Sequence, residues 1–504
     1  MSEPIVAAPE HSNAIDGQDD GTELSRRGSS INAVATIAAA CVGPILYMVY
    51  VSHYAVNSFF FDDYSTFIAM HLFLHGHLPF SQLWIQYTEG RQVTSNFVLM
   101  LSARVDRADV RSILLFNGVI FIATYGIVLA LFQKYLRSRL TPVPVLLVGI
   151  VWFSIGDVGN SLFAYQLSLY FVLLFVFVML FALLYPVRHR NFWFAVAVVA
   201  AMASSLSFLD GFLAWPLGAV CILWGHAHSR RMRLEVGIWI ATLVAISAAY
   251  FYGYQSSGCV ISQCSPGNSL SQPFTMLRVV LALIGGVLPG GYFGDKIHNP
   301  LRFELVGAVL LVVAVFILIQ SWLHRDDRER MPLPMLMVLF ALSWDVLVAL
   351  GRTGLGVNYI AGINRYMMPN LILLTAIIIY AWSHRPSTLQ AGSDGAGAYF
   401  TRWLPLSLVV IFVIVQVVWS TSFGLVNARA ARQMFVTEAQ LWVNLDRVPV
   451  QDRACEVEQV LNQGFFPGGP PQLPAKDHLG EFSPNSFRYF RSLGPPPLSP
   501  QCEH

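Results

Sequence analysis

The sequence predicts an all-α polytopic membrane protein with about eleven transmembrane helices, and three observations support this. Of the 504 residues, 55% are hydrophobic and only 12% are charged, whereas soluble globular chains carry about 25% charged residues. The mean hydropathy is +0.56, and apolar runs of about twenty residues recur. The strand alternation typical of an outer-membrane barrel is absent. The composition excludes a water-soluble enzyme, and a formal net charge of +2 gives no reason to expect nucleic acid as a partner.

The first residues differ from the rest of the chain. Residues 1–31 are polar, contain Arg26-Arg27 and lack the pattern of a cleaved signal, so we expect a disordered cytoplasmic tail. A transmembrane domain is predicted over 32–423. Its spans are predicted at 34–54, 113–133, 142–157, 161–185, 192–208, 211–225, 234–252, 303–323, 335–351, 366–383 and 403–423. The stretch 274–289 is interrupted by Gly285-Gly286, which favours a re-entrant or interfacial segment.

Basic residues alternate between the connections and predict the orientation. Lys and Arg concentrate in five short connections, at 134–141, 186–191, 226–233, 324–334 and 384–402. The positive-inside rule places these connections in the cytoplasm together with the N-terminus. Four other segments, 55–112, 253–302, 352–365 and the tail 424–504, then lie outside, as does the C-terminus.

Cysteine positions agree with this topology. Cys41 and Cys221 fall within spans, where a thiol behaves as a small apolar group. The other four, which are Cys259, Cys264, Cys455 and Cys502, all fall in segments assigned to the outside, where disulfides persist. Local pairing, Cys259–Cys264 and Cys455–Cys502, is the preferred connectivity of the three possible. Zinc binding is the alternative, and the absence of a C-x-x-C spacing disfavours it.

The tail 424–504 is rich in proline. We expect a short helix over 427–445, followed by loops. Together these predict a small, disulfide-tied, Pro-rich C-terminal cap over the outer face.

Among the outer segments that precede the tail, the first loop, 55–112, contains the most ionisable residues that could take part in catalysis. Apolar residues at helical spacing predict two amphipathic surface helices, at 64–75 and 92–105, joined by a loop. Asp62-Asp63 precede the first of them. An Asp at this place can cap the helix. It can also act as a general base at the membrane boundary, and the two roles can be divided between the neighbours.

Three histidines in the same loop raise the question of a metal. His71 and His75 are spaced to share a helix face, with His77 close by. The spacing lacks the accompanying Glu of H-E-x-x-H, so hydrogen-bonded surface histidines are favoured. The sequence therefore predicts no metal and no other cofactor, with a divalent metal as the less favoured alternative.

Five short stretches carry a resemblance to a known superfamily. They are F-F-D-D-Y (60–64), L-W-I-Q-Y-T-E-G-R (83–91), A-Y-Q-L-S-L-Y (164–170), S-F-L-D-G-F-L-A-W-P-L-G (207–218) and N-R-Y-M-M-P (364–369). With the acidic first loop and the many spans, the chain resembles bacterial membrane glycosyltransferases of the C superfamily (GT-C). Such proteins carry an Asp-Glu pair, an Asn-Glu-His-Arg stretch and a Ser-Arg-Tyr stretch. The matching positions here are Asp62-Asp63, Thr88–Arg91 and Asn364–Tyr366, with Gly90 in place of the histidine.

The resemblance implies a substrate and a site. GT-C enzymes use a polyprenyl-phosphate-linked sugar, so we expect a multi-pass enzyme of the bacterial inner membrane that glycosylates an envelope glycan or glycolipid on the periplasmic side. By analogy with the first acidic residue of the pair, Asp62 is favoured as the base over Asp63, and Glu89 is the next candidate.

An anionic donor also needs cations at the outer ends of the spans. Arg352 and Arg365 bracket one outer segment, and Arg91 and Lys296 also lie outside. The Arg guanidinium suits phosphate through its planar fork, although an interfacial Arg can also simply extend toward water.

Two other classes of function stay open at this point. A flippase or transporter of lipid-linked glycans would show internal repeats and midplane charges. No repeat is evident, although Asp345 lies within a predicted span. A membrane acyltransferase or ligase would depend on a His-based site or a larger outer loop late in the chain, which the His cluster of the first loop does not match.

Overall fold

The computed structural model of the chain describes residues 19–87, 90–136, 139–185, 188–224, 230–255, 265–290, 299–323, 332–384, 396–453, 455 and 472–497. These residues are almost entirely helical, which confirms the all-α prediction. The strands among them are Gln86–Tyr87 (β1) and Gly90–Arg91 (β2), which pair antiparallel within the first loop.

The helices follow one another through the bundle and into the cap. In chain order they are α1 (Asp19–Tyr54), α2 (Phe67–Leu74), α3 (Phe80–Leu83), α4 (Val93–Val105), α5 (Val110–Leu136), α6 (Pro142–Trp152), α7 (Val158–Ser161), α8 (Leu167–Leu184), α9 (Arg190–Ser205), α10 (Ala214–Trp224), α11 (Arg230–Phe251), α12 (Pro266–Leu270), α13 (Pro273–Gly285), α14 (Leu301–Leu323), α15 (Leu333–Arg352), α16 (Val357–Ile360), α17 (Met368–Ser383), α18 (Ala396–Val443), α19 (Gln472–Asp477) and α20 (Pro484–Leu493). Short 3₁₀ helices precede several of them, at Phe61–Thr66, Ala164–Gln166, Leu209–Leu213, Asn364–Tyr366 and Gly480–Phe482.

Eight helical segments in the described part of the chain are at least 18 residues long and apolar enough to cross a membrane. They comprise all or most of α1, α5, α8, α11, α14, α15, α17 and α18. Each of the eleven predicted spans overlaps a helix, but the count of eleven is not confirmed. The spans predicted at 142–157, 192–208 and 211–225 correspond to α6, α9 and α10, which have 11, 16 and 11 residues. At 1.5 Å per residue, 11 residues reach about 16 Å, roughly half of a 30 Å hydrocarbon core.

The interrupted stretch at 274–289 forms α13, which is 13 residues long. Its length of about 20 Å agrees with a segment that does not span. It packs closely on α14 through two glycines. A Cβ at Gly307 would lie 1.8 Å from the Leu281 carbonyl oxygen, and one at Gly285 would lie 1.9 Å from that of Phe303. Only hydrogen fits at these two contacts.

The two ends of the transmembrane domain differ from the prediction. Residues 19–31, predicted to be disordered, form the start of α1, because extending an existing helix avoids the cost of nucleation. At the other end, α18 runs for 48 residues, or about 72 Å. It passes the predicted boundary at 423–424 without a break, so the short helix expected over 427–445 belongs mainly to the last long helix.

The first loop contains a helix at each of the two places where the sequence predicts a surface helix. These are α2 and α4, which pack against each other. Along α4, Phe97, Leu101 and Val105 are exposed at successive helical turns. An exposed apolar stripe of this kind is suited to contact with lipid.

The C-terminal residues 472–497, which we continue to call the cap, contact the first loop. The Asn57 amide Nδ2 donates to the Gly480 carbonyl at 2.9 Å and to the Ser486 hydroxyl at 2.8 Å. The Phe59 N–H donates to Glu481 Oε2 at 3.1 Å, and the Gly480 N–H donates to the Arg107 carbonyl at 2.9 Å. The cap and the first loop therefore form one layer, and we call the end of the bundle that bears it the loop end.

Candidate functional site

The acidic pair lies at the loop end in the 3₁₀ helix Phe61–Thr66, and its two carboxylates have different surroundings. Asp63 is buried. Its Oδ2 accepts a hydrogen bond from the Phe60 N–H at 2.9 Å, and its Oδ1 accepts one from the Tyr165 N–H at 2.6 Å. Burial raises the pKa of Asp63 to about 7, although both N–H groups favour the charged form. These contacts favour a capping and positioning role for Asp63.

Asp62 is the more accessible of the two. Its Oδ1 accepts a hydrogen bond from the Tyr87 hydroxyl at 2.8 Å, and its Oδ2 lies 3.5 Å from Nη1 of Arg365. The side chains of Asp62 and Arg365 are 18% and 32% exposed, so a ligand at the loop end could reach both. Burial raises the pKa of Tyr87 above its usual range, so its hydroxyl keeps the proton that it donates to Asp62.

The backbone of Arg365 is hydrogen-bonded to a buried polar group formed by Asn160 and Asp157. The Asn160 amide Nδ2 donates to the Arg365 carbonyl at 2.7 Å and to both carboxylate oxygens of Asp157, at 2.8 and 3.0 Å. The Gly159 N–H donates to Asn364 Oδ1 at 3.1 Å. Burial raises the pKa of Asp157 to about 8. Asp157 therefore supports the site through Asn160 rather than facing it.

Gly159 makes this support possible because it brings the backbone of α7 close to residue 364. A Cβ at Gly159 would lie 2.4 Å from Asn364 Oδ1 and 3.0 Å from the Arg365 N atom. A glycine is therefore required where α7 meets the segment that carries Arg365.

Arg91 occupies a different kind of position from Arg365. It is buried, and its guanidinium donates to three backbone carbonyls, those of Tyr250 at 2.7 Å, Tyr252 at 2.8 Å and Trp84. Its own N–H donates to the Tyr250 hydroxyl at 2.9 Å. These contacts fasten the first loop to the end of α11, and they favour a structural role over the phosphate-binding role expected from the sequence.

The other predicted site residues are placed as follows. Arg352 is the last residue of α15 and is half-buried. Glu89 and Lys296 lie outside the described residues, as do Cys259, Cys264 and Cys502. Cys455 is disulfide-bonded. Because Cys502 lies outside the described residues, the pairing of Cys455 with Cys502 stays a prediction. Cys41 and Cys221 are free, as expected for thiols within spans.

Sequence reasoning missed a basic cleft between α1 and α18. The cleft measures about 370 Å³ and is lined by His53, Tyr54, Arg429, Arg432, Gln433 and Val436. Arg429 and Arg432 are exposed, and Arg432 Nη1 donates to the His53 carbonyl at 2.6 Å. The signal available in the sequence was a pair of Arg residues, one helical turn apart, shortly after the apolar run at 403–423.

One group of side chains could hold a metal ion. Ligand atoms of His71, His75 and Asp477 lie within 4.8 Å of one another. The sequence suggested the two histidines only as the less favoured alternative. The carboxylate comes from the cap, which folds back onto the first loop.

No family model, curated protein or solved structure matches the chain. What the geometry offers is a carboxylate, a phenol and a guanidinium that converge at one end of a bundle of apolar helices. Such a set can accept a proton from a hydroxyl and can bind an anion beside it.

Proposed function

We propose that the protein is a membrane glycosyltransferase of the GT-C type. It transfers a sugar from a polyprenyl-phosphate donor to a cell-envelope glycan or lipid-linked acceptor at the loop end. The observation that carries the proposal is the position of Asp62 between the Tyr87 hydroxyl and the Arg365 guanidinium. We further propose that the loop end faces the periplasm of a bacterial inner membrane, with the N-terminus in the cytoplasm.

The carboxylate supplies the base. In the proposed reaction the acceptor hydroxyl oxygen bonds to the anomeric carbon of the donor, and its proton passes to Asp62. The bond from the anomeric carbon to the phosphate oxygen breaks, and the phosphate leaves with the electron pair. A phosphate leaving group needs no acid catalyst, so a single carboxylate is sufficient, unlike the pair that glycoside hydrolysis requires.

Arg365 supplies the positive charge for the leaving phosphate. A guanidinium has five N–H donors, and the 3.5 Å separation from Asp62 is longer than a good hydrogen bond. Arg365 can therefore bind phosphate oxygens while it stays next to the base. In this proposal the donor phosphate and the acceptor hydroxyl lie on opposite sides of the Asp62–Arg365 ion pair.

The basic cleft supports the recognition of an anionic lipid. Exposed apolar residues of α18, among them Val418, Trp419 and Val426, lead toward Arg429 and Arg432. Basic side chains at the end of such a strip suit a lipid headgroup that carries phosphate. Phe435, which precedes the cleft residue Val436, contacts Phe60, which lies two residues before Asp62; their ring centroids are 5.0 Å apart.

A transporter or flippase of lipid-linked glycans is the second candidate, because Asp345 is fully buried inside α15. A carboxylate within a span often belongs to an ion or substrate pathway. The two candidates differ in where chemistry occurs, since a transporter moves the lipid-linked sugar without breaking the bond between sugar and phosphate.

The experiment uses the full-length protein in lipid nanodiscs with polyprenyl-phosphate sugars that carry a radiolabelled sugar. Lipid-linked sugars and envelope glycans of a deletion strain and its parent are compared first, to select the donor. We expect the purified protein to release polyprenyl phosphate and label the acceptor. We expect Asp62→Asn to lower this turnover roughly 10²–10⁴-fold, and Asp106→Asn, at a carboxylate of the same loop that accepts from Ser102, to leave it unchanged. Movement of intact donor between leaflets without cleavage would establish the transporter instead.

A further inference from the structure

The first surface helix and the cap meet at three side chains that can ligate a metal. His71 lies in α2 and His75 caps the C-terminus of that helix, while Asp477 is the last residue of α19. His71 Nδ1 lies 2.6 Å from Asp477 Oδ2, and His75 Nε2 lies 3.9 Å from Asp477 Oδ1. The two imidazole centroids are 4.3 Å apart.

The orientation of His75 leaves a ligand atom directed at the carboxylate. Its Nδ1 lies 2.8 Å from the His71 carbonyl oxygen, so Nδ1 carries the proton and donates it there. In the neutral ring, Nε2 then presents a lone pair toward Asp477. A hydrogen bond from the other ring nitrogen to a carbonyl is the usual way in which proteins fix a metal-binding imidazole.

Asp477 already has one polar partner, because its Oδ2 lies within hydrogen-bond distance of His71 Nδ1, at 2.6 Å. The Asp477 side chain is only 4% exposed, and a buried charge is costly unless it is paired or coordinated to a metal. Pairing with both imidazoles as cations would bring two positive rings to 4.3 Å from each other, which is unfavourable. One cation between neutral rings and the carboxylate satisfies all three groups at once.

We propose that His71, His75 and Asp477 bind one divalent transition-metal ion, which fastens the cap to α2. Two imidazole nitrogens and one carboxylate oxygen form a donor set suited to Zn²⁺. Zinc–ligand bonds of 2.0–2.1 Å put tetrahedral ligand atoms about 3.3 Å apart. The observed separations of 2.6 and 3.9 Å lie on either side of that value, so small side-chain movements would complete the site. His75 is half exposed, and water takes the fourth position.

The site is separate from the proposed glycosyl transfer. The ion would fix α2, which begins directly after the 3₁₀ helix that carries Asp62 and Asp63. It would therefore stabilise the element next to the acidic pair without contacting a substrate. Metal binding needs no donor or acceptor, so its test is independent of the proposed activity.

The test measures metal binding by the full-length protein in nanodiscs after removal of metal with a chelator. Cobalt is the probe, because its visible absorption reports tetrahedral coordination, and zinc is added to displace it. We expect one Co²⁺ per chain with a tetrahedral spectrum. His75→Ala and Asp477→Asn should lower the affinity by more than about 100-fold, beyond the 10–100-fold typical of an outer-shell partner. The matched control is His77→Ala, at an exposed histidine outside the cluster, and it should bind as the parent does.

A second measurement, hydrogen exchange, tests whether the metal ion links the cap to α2. Zinc should slow hydrogen exchange in both α2 and α19 of the parent and of His77→Ala, but in neither helix of His75→Ala. Because His75 is half exposed, this variant should fold even if Asp477→Asn does not. Binding of less than about 0.1 equivalent by the parent, parental affinity in His75→Ala, or an equal loss in His77→Ala would each overturn the proposal.

Discussion

Asp62 Oδ2 lies 3.5 Å from Nη1 of Arg365, although most of the helices of the bundle lie between the two residues in the sequence. The first follows α1 and the second precedes α17. The sequence suggests each separately, Asp62 as a base and Arg365 as a phosphate ligand. Because they are in contact, the predicted base and the predicted phosphate ligand belong to one site. Substitutions can then test the role of each side chain separately.

The first prediction separates the two members of the acidic pair. Asp62→Asn should keep the fold, because an amide oxygen can still accept from Tyr87, but it should lower turnover roughly 10²–10⁴-fold, the usual contribution of a general base. Asp63→Asn should instead lower stability by about 1–3 kcal/mol, because an amide NH₂ would face the N–H of Phe60 or Tyr165. Turnover per folded molecule and thermal unfolding distinguish them. Parental turnover in Asp62→Asn would move the base elsewhere, with Glu89 as the next candidate.

The second prediction concerns pH and the contact between cap and loop. Burial raises the pKa of Glu481 from 4.5 to about 8, so the folded state holds this proton more tightly than the unfolded state does. The resulting stabilisation is complete below about pH 4.5 and is lost as the pH rises through 8. Glu481→Gln keeps an acceptor for the Phe59 N–H and does not titrate. Between pH 5 and 8.5 the unfolding temperature should therefore fall less steeply with pH in the variant than in the parent. Parallel curves would exclude Glu481 as the source of this pH dependence.

Hydropathy predicted the bundle because a helix in lipid must satisfy its backbone internally and present apolar side chains. That rule marks where apolar helices occur, but it does not fix their lengths. It predicted spans over 142–157 and 211–225, where α6 and α10 have 11 residues each, so these two spans are not confirmed. It also placed a boundary inside α18, where a change in composition does not interrupt the helix.

The site was only partly predictable, for a different reason. Asp62 was detectable because it opens the loop after the first predicted span, and Arg365 because it directly precedes another predicted span. The roles of Arg91 and Asp477 were not, because each depends on a contact with a distant segment, α11 for Arg91 and α2 for Asp477. A pattern in one sequence does not report which loop folds onto which.

The third prediction tests the support behind Arg365. Gly159→Ala places a methyl group 2.4 Å from Asn364 Oδ1, so Asn364 and Arg365 must shift. Catalytic geometry tolerates little displacement, and a shift of about 1 Å can cost 100-fold in rate. Gly126→Ala is the matched control, since nothing lies within 4 Å of a Cβ there, and it should leave turnover unchanged. Equal turnover in the two variants would show that the contact between α7 and Asn364 does not position the site.

The last prediction contrasts two arginines of the loop end that the sequence grouped together. Arg91 donates to one buried and two partly buried carbonyls of the protein, so Arg91→Ala leaves these acceptors without that donor and should reduce the amount of folded protein. Arg365 faces a carboxylate from a partly exposed position, so Arg365→Ala should fold but should raise the donor concentration needed for half-maximal turnover and lower the maximal rate.

Arg365→Lys sharpens the contrast, because lysine restores the charge without the planar fork and should recover only part of the donor dependence. The measurements are folded yield by gel filtration and steady-state turnover against donor concentration. Arg352→Ala is made in parallel, since Arg352 is the other cation that the sequence assigns to the donor phosphate. If both Arg352→Ala and Arg365→Ala keep the parental dependence on donor concentration, the donor phosphate does not bind at these two arginines. The basic cleft of Arg429 and Arg432 would then be the next candidate for the binding of an anionic lipid.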